Sequence, residues 1–271
     1  MGPTFELVLQ TAHGIDARAY TDTLSSWVLA LEEMDRLALP GRTARLDWAV
    51  TDLDRTPRGD FRINLQPRRL PARRPPGTWL IPGQTLVAGV EALDAKPDVP
   101  ELFSPSLVAR VQSVGAHLGR DGIDAMWIAS MNGERGPGAE VTERVVHNAA
   151  EAVRPVEQAY SSVHGRLDTL SLRGRRGLRA AVVDDRTRRA VACTLGRLDG
   201  QVLQNAFGKR VILAGLLSRN ASGQPLKLEV DELELLVDNQ EPMSAHDLLG
   251  VDPNWTGDLT TSEYIDYVRR G

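Results

Sequence analysis

The sequence predicts an α+β protein in three parts. These are a mixed α/β N-terminal domain over residues 1–155, a five-stranded β-barrel over residues 159–236, and an acidic C-terminal arm with a short helix over residues 237–271. The chain has 271 residues, of which 42% are hydrophobic and 25% charged, and this is typical of a globular protein of about two domains. Helical and strand periodicities are mixed before Pro155, whereas strand-like alternation predominates after it. These observations give the class and the order of the parts.

The elements of the N-terminal domain follow from the spacing of its apolar residues. A short apolar run predicts a strand at residues 5–9, and apolar residues three and four apart predict an amphipathic helix within residues 24–37. Alternation predicts a hairpin with strands at residues 46–50 and 61–66. The further predicted elements are helices at 85–95, 106–118 and 142–153, a buried strand at 125–129, and irregular segments at 67–77 and 132–138.

Five strand-like runs in the second half predict a small barrel. They cover residues 160–172, 178–184, 189–195, 210–218 and 226–236, with one helix at 198–207 between the third and the fourth. This arrangement resembles the OB-fold, a Greek-key barrel that binds oligonucleotides and oligosaccharides. Gly165 fits the bend at which the long first strand serves both sides of such a barrel. An SH3-like barrel is the alternative, although it lacks a full helix at that point.

The predicted barrel is the basic part of an acidic protein. Residues 159–236 carry 13 Lys and Arg against 8 Asp and Glu, whereas the whole chain has a net charge of −4. Because salt confines a surface field to about 8 Å, such a local excess attracts polyanions. The predicted nucleic-acid contacts are the arginines of the loops, Arg173, Arg175, Arg176, Arg186, Arg188, Arg189 and Arg219.

The contacts expected from these arginines are to the phosphate backbone. An OB-fold holds its ligand across strands two and three and between the loops after strands one and four. The barrel has only two aromatic residues, Tyr160 and Phe207, so base stacking is not expected to contribute. The alternative interpretation is that the arginines are solvated side chains at hairpin tips.

The acidic arm suggests a different function. Trp255, Tyr264 and Tyr267 are three of the protein's 13 aromatic residues, in a segment too short and too acidic to form its own core. Exposed aromatic anchors are typical of a segment that binds a protein partner. The predicted partner-binding residues are Trp255, Tyr264, Ile265, Tyr267, Val268 and Arg269. Alternatively, the arm folds back onto the basic face of the barrel.

The second half also resembles a group of bacterial proteins with an OB-like domain that are encoded beside PIN-domain ribonuclease toxins. The resemblance is carried by residues 160–236, 250–257 and 262–264, and the first half takes no part in it. It implies an antitoxin-like role for the arm, in which Tyr264, Ile265 and Arg269 enter a cleft of the toxin.

A catalytic, metal or cofactor site is not indicated by any motif. The five histidines lack metal-ligand spacing, and the single cysteine, Cys193, lies in an alternating strand as a core residue would. We therefore expect a binding protein without enzymatic activity or cofactor. An enzyme with its site between the domains remains a weaker hypothesis. Neither an apolar run of about 18 residues nor a signal sequence is present, which predicts a cytoplasmic protein that does not bind membranes.

Overall fold

The computed structural model contains both helices and strands, as the α+β class requires. It describes residues 4–39, 45–68, 74–75, 77–133, 136–171, 178–196 and 200–236. The described residues belong to one compact unit that extends to Leu236. Among them, no helix is both long enough and apolar enough to cross a membrane.

The N-terminal part is an antiparallel sheet with helices. In chain order its elements are β1 (Thr4–Gln10), α1 (Ala17–Ala38), β2 (Trp48–Arg55), β3 (Phe61–Pro67), α2 (Ile81–Ala95), α3 (Pro105–Gly115), β4 (Ala125–Met131), β5 (Gly138–Glu140) and α4 (Glu143–Ala152). The strand order is β2-β3-β1-β4-β5, so the first strand of the chain is central. Every neighbouring pair in this sheet is antiparallel.

Alternation along β1 separates the two faces of the sheet. Phe5, Leu7 and Leu9 are fully buried in a core that includes Trp27 of α1 and Leu86 of α2. The residues between them point to the opposite face, because successive side chains of a strand alternate. The helices therefore cover one face of the sheet and leave the other open.

Most of the predicted N-terminal elements are confirmed, with shifted ends. Ser104 caps α3 as predicted by accepting a hydrogen bond from the Leu107 N–H. The helix ends at Gly115 rather than at residue 118. Helix α2 begins at Ile81, four residues earlier than predicted, since Pro82 suits the first turn of a helix.

The second part is a closed five-stranded barrel, as the alternation predicts. Its elements are β6 (Glu157–Ser171), β7 (Leu178–Asp184), β8 (Ala190–Leu195), α5 (Gly200–Ala206), β9 (Arg210–Arg219) and β10 (Pro225–Leu235). The strand order is β10-β8-β7-β6-β9, and β10 also pairs with β9 to close the barrel. Only β8 and β10 run parallel among these described pairs. This barrel is compatible with an OB-like fold.

Gly165 lies where β6 passes from one neighbour to the other. It pairs with Asp184 of β7 and with Val211 of β9. A Cβ atom at this position would lie 2.1 Å from the carbonyl oxygen of Val183. Only glycine fits this close approach, and β6 pairs on both sides around it as predicted.

The sheet part and the barrel are joined by specific hydrogen bonds around Val99. The Val99 N–H donates to Oε1 of Gln224 at 2.7 Å, and Nε of Arg189 donates to the Val99 carbonyl at 2.6 Å. Asn220 Nδ2 donates to the carbonyl of Ala152 at 2.9 Å. These bonds tie two turns of the barrel to the N-terminal part, whereas the predicted boundaries at residues 155, 159 and 237 stay predictions.

Candidate nucleic-acid interface

An open groove of about 1120 Å³ lies between helices α1 and α3 and the outer face of the barrel. Its barrel side is formed by β7, β8 and β10, with the small residues Ala181, Ala192 and Thr194 on the first two. Strands β7 and β8 are the second and third of the barrel, and OB-like barrels hold ligands on that face. The groove thus lies over the second and third strands of the barrel.

Three cations among the described residues line this groove. Arg36 is in the last turn of α1, and Arg179 is an exposed residue near the start of β7. Neither forms an ion pair within the part of the chain that the structure describes. Lys227 of β10 contacts Glu229 at 2.7 Å. Arg36 and Arg179 are therefore the cations available to an incoming anion.

Three carboxylates of the described residues line the same groove, and two of them accept contacts from protein donors. Glu33 Oε1 accepts hydrogen bonds from the Ser104 hydroxyl and from the Ser106 hydroxyl, the latter at 2.9 Å. This places its negative charge at the start of α3, where the helix dipole favours it. Glu229 pairs with Lys227, so Asp231 is the carboxylate of the groove that lacks a described partner.

Arg179 is a groove residue that sequence reasoning missed. Arg173, Arg175 and Arg176 lie outside the described residues, but they precede Leu178 and Arg179 directly in the chain. The sequence pattern could have predicted this residue, because Arg179 ends the same arginine-rich run and alternates with the inward-facing Ala180.

The other predicted arginines lie at the end of the barrel that contacts the N-terminal part. Arg186 and Arg188 have exposed side chains in the turn between β7 and β8. The guanidinium of Arg189 is bound to the Val99 carbonyl, and Arg219 donates to the carbonyl of Gly223 at 3.0 Å. None of the four lines the groove. The structure does not bring them together with Arg179.

Cys193 is confirmed as a core residue. It is 2% exposed and belongs to the apolar core of the barrel. Burial raises the pKa of its thiol to about 12, so the thiolate nucleophile is disfavoured at neutral pH. The predicted partner-binding residues Trp255, Tyr264, Ile265, Tyr267, Val268 and Arg269 lie outside the described residues.

The chain matches no known protein family, and no curated protein matches it. Any function proposed for it therefore rests on the residues of the sheet, the barrel and the groove.

Proposed function

We propose that the protein binds single-stranded nucleic acid through the phosphate backbone, in the groove over β7 and β8. One observation carries this proposal. Arg179, which lines the groove, is the last of four arginines within residues 173–179, and this stretch has no acidic residue. Arginine neutralises phosphate charge and releases the counterions condensed on the nucleic acid, which supplies most of the affinity of binding that is independent of sequence.

The groove favours backbone contacts over base recognition. The barrel face of the groove is shallow because its residues Ala181, Ala192 and Thr194 have small side chains. An extended strand of nucleic acid can lie on it. The lining residues that the structure describes include no aromatic side chain, so bases gain nothing from stacking on them. Phosphate contacts position a strand without reading its sequence. We therefore expect similar affinities for strands of different sequence.

The arrangement of charge in the groove supports the same proposal. Arg36 and Arg179 come from a helix and from a strand on opposite sides of the groove, so a strand between them meets a cation on either side. Two of the three carboxylates already interact with protein donors, which reduces their repulsion of phosphate.

The test compares two matched double variants of the full chain. Binding of labelled 20-nucleotide DNA and RNA strands is measured at about 50 mM salt, where phosphate contacts are strong. Arg36→Ala with Arg179→Ala should weaken binding about tenfold for every sequence, because two phosphate contacts are lost. Arg18→Ala with Arg120→Ala removes two exposed arginines outside the groove and should leave the affinity unchanged.

Two results would contradict the proposal. One is equal weakening by both double variants, which would indicate a diffuse charge effect. The other is the absence of binding by the unaltered protein. The alternative function, in which residues 250–271 bind a protein partner, concerns residues outside those described and stays a prediction.

A further inference from the structure

The open face of the N-terminal sheet holds a second cleft, of about 820 Å³. It is lined by β1, β3, β4, the approach to β5 and the turn between β2 and β3, and it shares no residue with the barrel groove. Trp127 borders it and is 40% exposed, which is unusual for a large aromatic side chain in the middle of a sheet. Across the strands, Trp127 lies between Val8 of β1 and Glu140 of β5.

The neighbouring row of residues leaves a hollow beside Trp127. Glu6 of β1 pairs with Ala129 of β4, and Ala129 pairs with Gly138. Ala129 and Gly138 have little or no side chain, so the surface of the sheet is recessed at this point. Diagonal neighbours on adjacent strands are about 7–8 Å apart. Trp127 and Glu6 thus border the same hollow, at a separation that suits one flat ring.

Glu6 is a buried carboxylate with few partners. It is 9% exposed, and its Oε2 lies 3.3 Å from Nε of Arg62. Arg62 is thus its ion-pair partner among the described residues, whereas the other carboxylate oxygen, Oε1, has no described partner. Glu6 lines the cleft, so the acceptor positions that Arg62 leaves open can receive hydrogen bonds from a ligand there. The cleft therefore selects a ligand that brings N–H groups to Glu6.

We propose that this cleft binds a guanine base, stacked on Trp127 with its donor edge on Glu6. Guanine is the common base that presents two adjacent N–H donors, from its ring N1–H and its amino group, and a carboxylate accepts both. Adenine, cytosine and uracil place an acceptor beside their donor, which would face the second carboxylate oxygen. Aromatic side chains commonly hold unpaired bases by stacking.

The charges of the cleft favour an uncharged ring over an ion. The positive charges of Arg58 and Arg62 repel a cation in the cleft, and the negative charges of Glu6 and Asp60 repel an anion placed beside them. The volume is within the range of small-ligand sites, about 300–1000 Å³. The base can belong to a free nucleotide or to an unpaired strand. This inference does not depend on the barrel groove, since the two surfaces have no residue in common.

The experiment titrates the full chain with guanosine monophosphate and with adenosine monophosphate, by calorimetry and by tryptophan fluorescence. The guanine nucleotide should bind at least about tenfold more tightly, because the site's buried acceptor discriminates against a ligand that lacks the donors. Stacking should quench a fluorescence component that is lost in Trp127→Phe. A single-stranded oligomer of guanosine and the mononucleotide, compared at equal base concentration in the Arg36→Ala, Arg179→Ala double variant, distinguish the two sources of the base without the contribution of the barrel groove.

Variants assign the site. Trp127→Ala and Glu6→Gln should each weaken binding of guanosine monophosphate by about fivefold or more. Tyr160→Ala and Glu157→Gln change an exposed aromatic and an exposed carboxylate outside the cleft and should have no effect. Melting curves check that Glu6→Gln, a change of nearly equal volume, remains folded.

Equal affinity for the two nucleotides would overturn the proposal, and so would undiminished binding by Glu6→Gln. The Arg36→Ala, Arg179→Ala double variant should still bind guanosine monophosphate. A failure of the groove proposal is thereby distinguishable from a failure of this one.

Discussion

The backbone N–H of Leu102 donates a hydrogen bond of 3.0 Å to the carbonyl of Arg188, and both residues have left-handed backbone conformations, with φ of 61° and 57°. Next to them, the Ala190 N–H donates to the Phe103 carbonyl at 3.3 Å. Left-handed conformations of residues other than glycine are unfavourable and persist where the surroundings fix them. The junction between the N-terminal part and the barrel is such a place, and it directly precedes Ser104, which lines the groove.

Substitutions at Arg188 test the strain at this junction. Arg188→Gly should leave the free energy of unfolding unchanged or raise it by up to about 1 kcal/mol, because glycine adopts a positive φ without a steric cost. Arg188→Val should lower it by about 1–2 kcal/mol, since a β-branched residue is least compatible with that conformation. Chemical denaturation measures both. A more stable valine variant would show that the left-handed conformation at residue 188 is wrong.

Gly165 allows a test of the barrel. Gly165→Ala should lower the free energy of unfolding by about 2 kcal/mol or more, because its Cβ would meet the backbone of Val183 rather than a movable side chain. Gly196→Ala is the matched control, since no atom of the described residues lies within 4 Å of the added Cβ and its φ is not positive. Thermal melts of the two variants should differ clearly. Similar melting temperatures would contradict the dual pairing of β6.

Asp94 predicts a pH dependence of stability. Its carboxylate accepts hydrogen bonds from Nε of Arg144 at 3.0 Å and from the Thr142 hydroxyl at 2.8 Å, and these contacts hold its pKa below the usual value. A lowered pKa in the folded state stabilises the protein above the unfolded pKa of about 3.9, and this contribution is lost as the pH falls through the folded pKa.

Asp94→Asn should therefore be less stable than the unaltered protein at pH 7, and the difference should shrink on acidification below about pH 4. Unfolding curves at several pH values measure it, with the exposed Asp22→Asn as control. A difference that stays constant down to about pH 2 would show that the carboxylate does not carry the effect.

Cys193 reports on the integrity of the barrel. With a pKa of about 12 and 2% exposure, its thiol should react with a thiol reagent only after unfolding. Labelling at pH 8 in native buffer should be at least about a hundredfold slower than in denaturant. Rapid labelling of the native protein would mean that β8 opens readily.

Local patterns in the sequence were sufficient to predict the barrel strands. Alternation of buried residues, such as Val211 and Leu213, indicates a strand without any knowledge of the strands that pair with it. The turn at residues 185–188 separates β7 from β8 as expected. Strand β5 was missed because its three residues, beginning at Gly138 in a glycine-rich loop, are too few to show a period.

The two candidate sites depend on contacts between distant parts of the chain. Arg36 and Arg179 are 143 positions apart in the chain and line one groove only in the folded protein, where bonds such as Leu102 N–H to Arg188 join the N-terminal part to the barrel. Similarly, the strand that contains Trp127 was predicted, but its exposure depends on which face of the sheet the helices cover. Neither the joint lining of the groove by Arg36 and Arg179 nor the exposure of Trp127 can be predicted from a count of charges or from a local hydrophobic period.

The salt dependence of single-strand binding tests the central claim most directly. For single strands, the logarithm of the association constant falls with the logarithm of salt concentration by about 0.7 per phosphate contact. The Arg36→Ala, Arg179→Ala double variant should therefore have a slope shallower by about 1.4 than that of the unaltered protein. The Arg18→Ala, Arg120→Ala control should keep the original slope. An unchanged slope in the groove variant would contradict phosphate binding between α1 and β7.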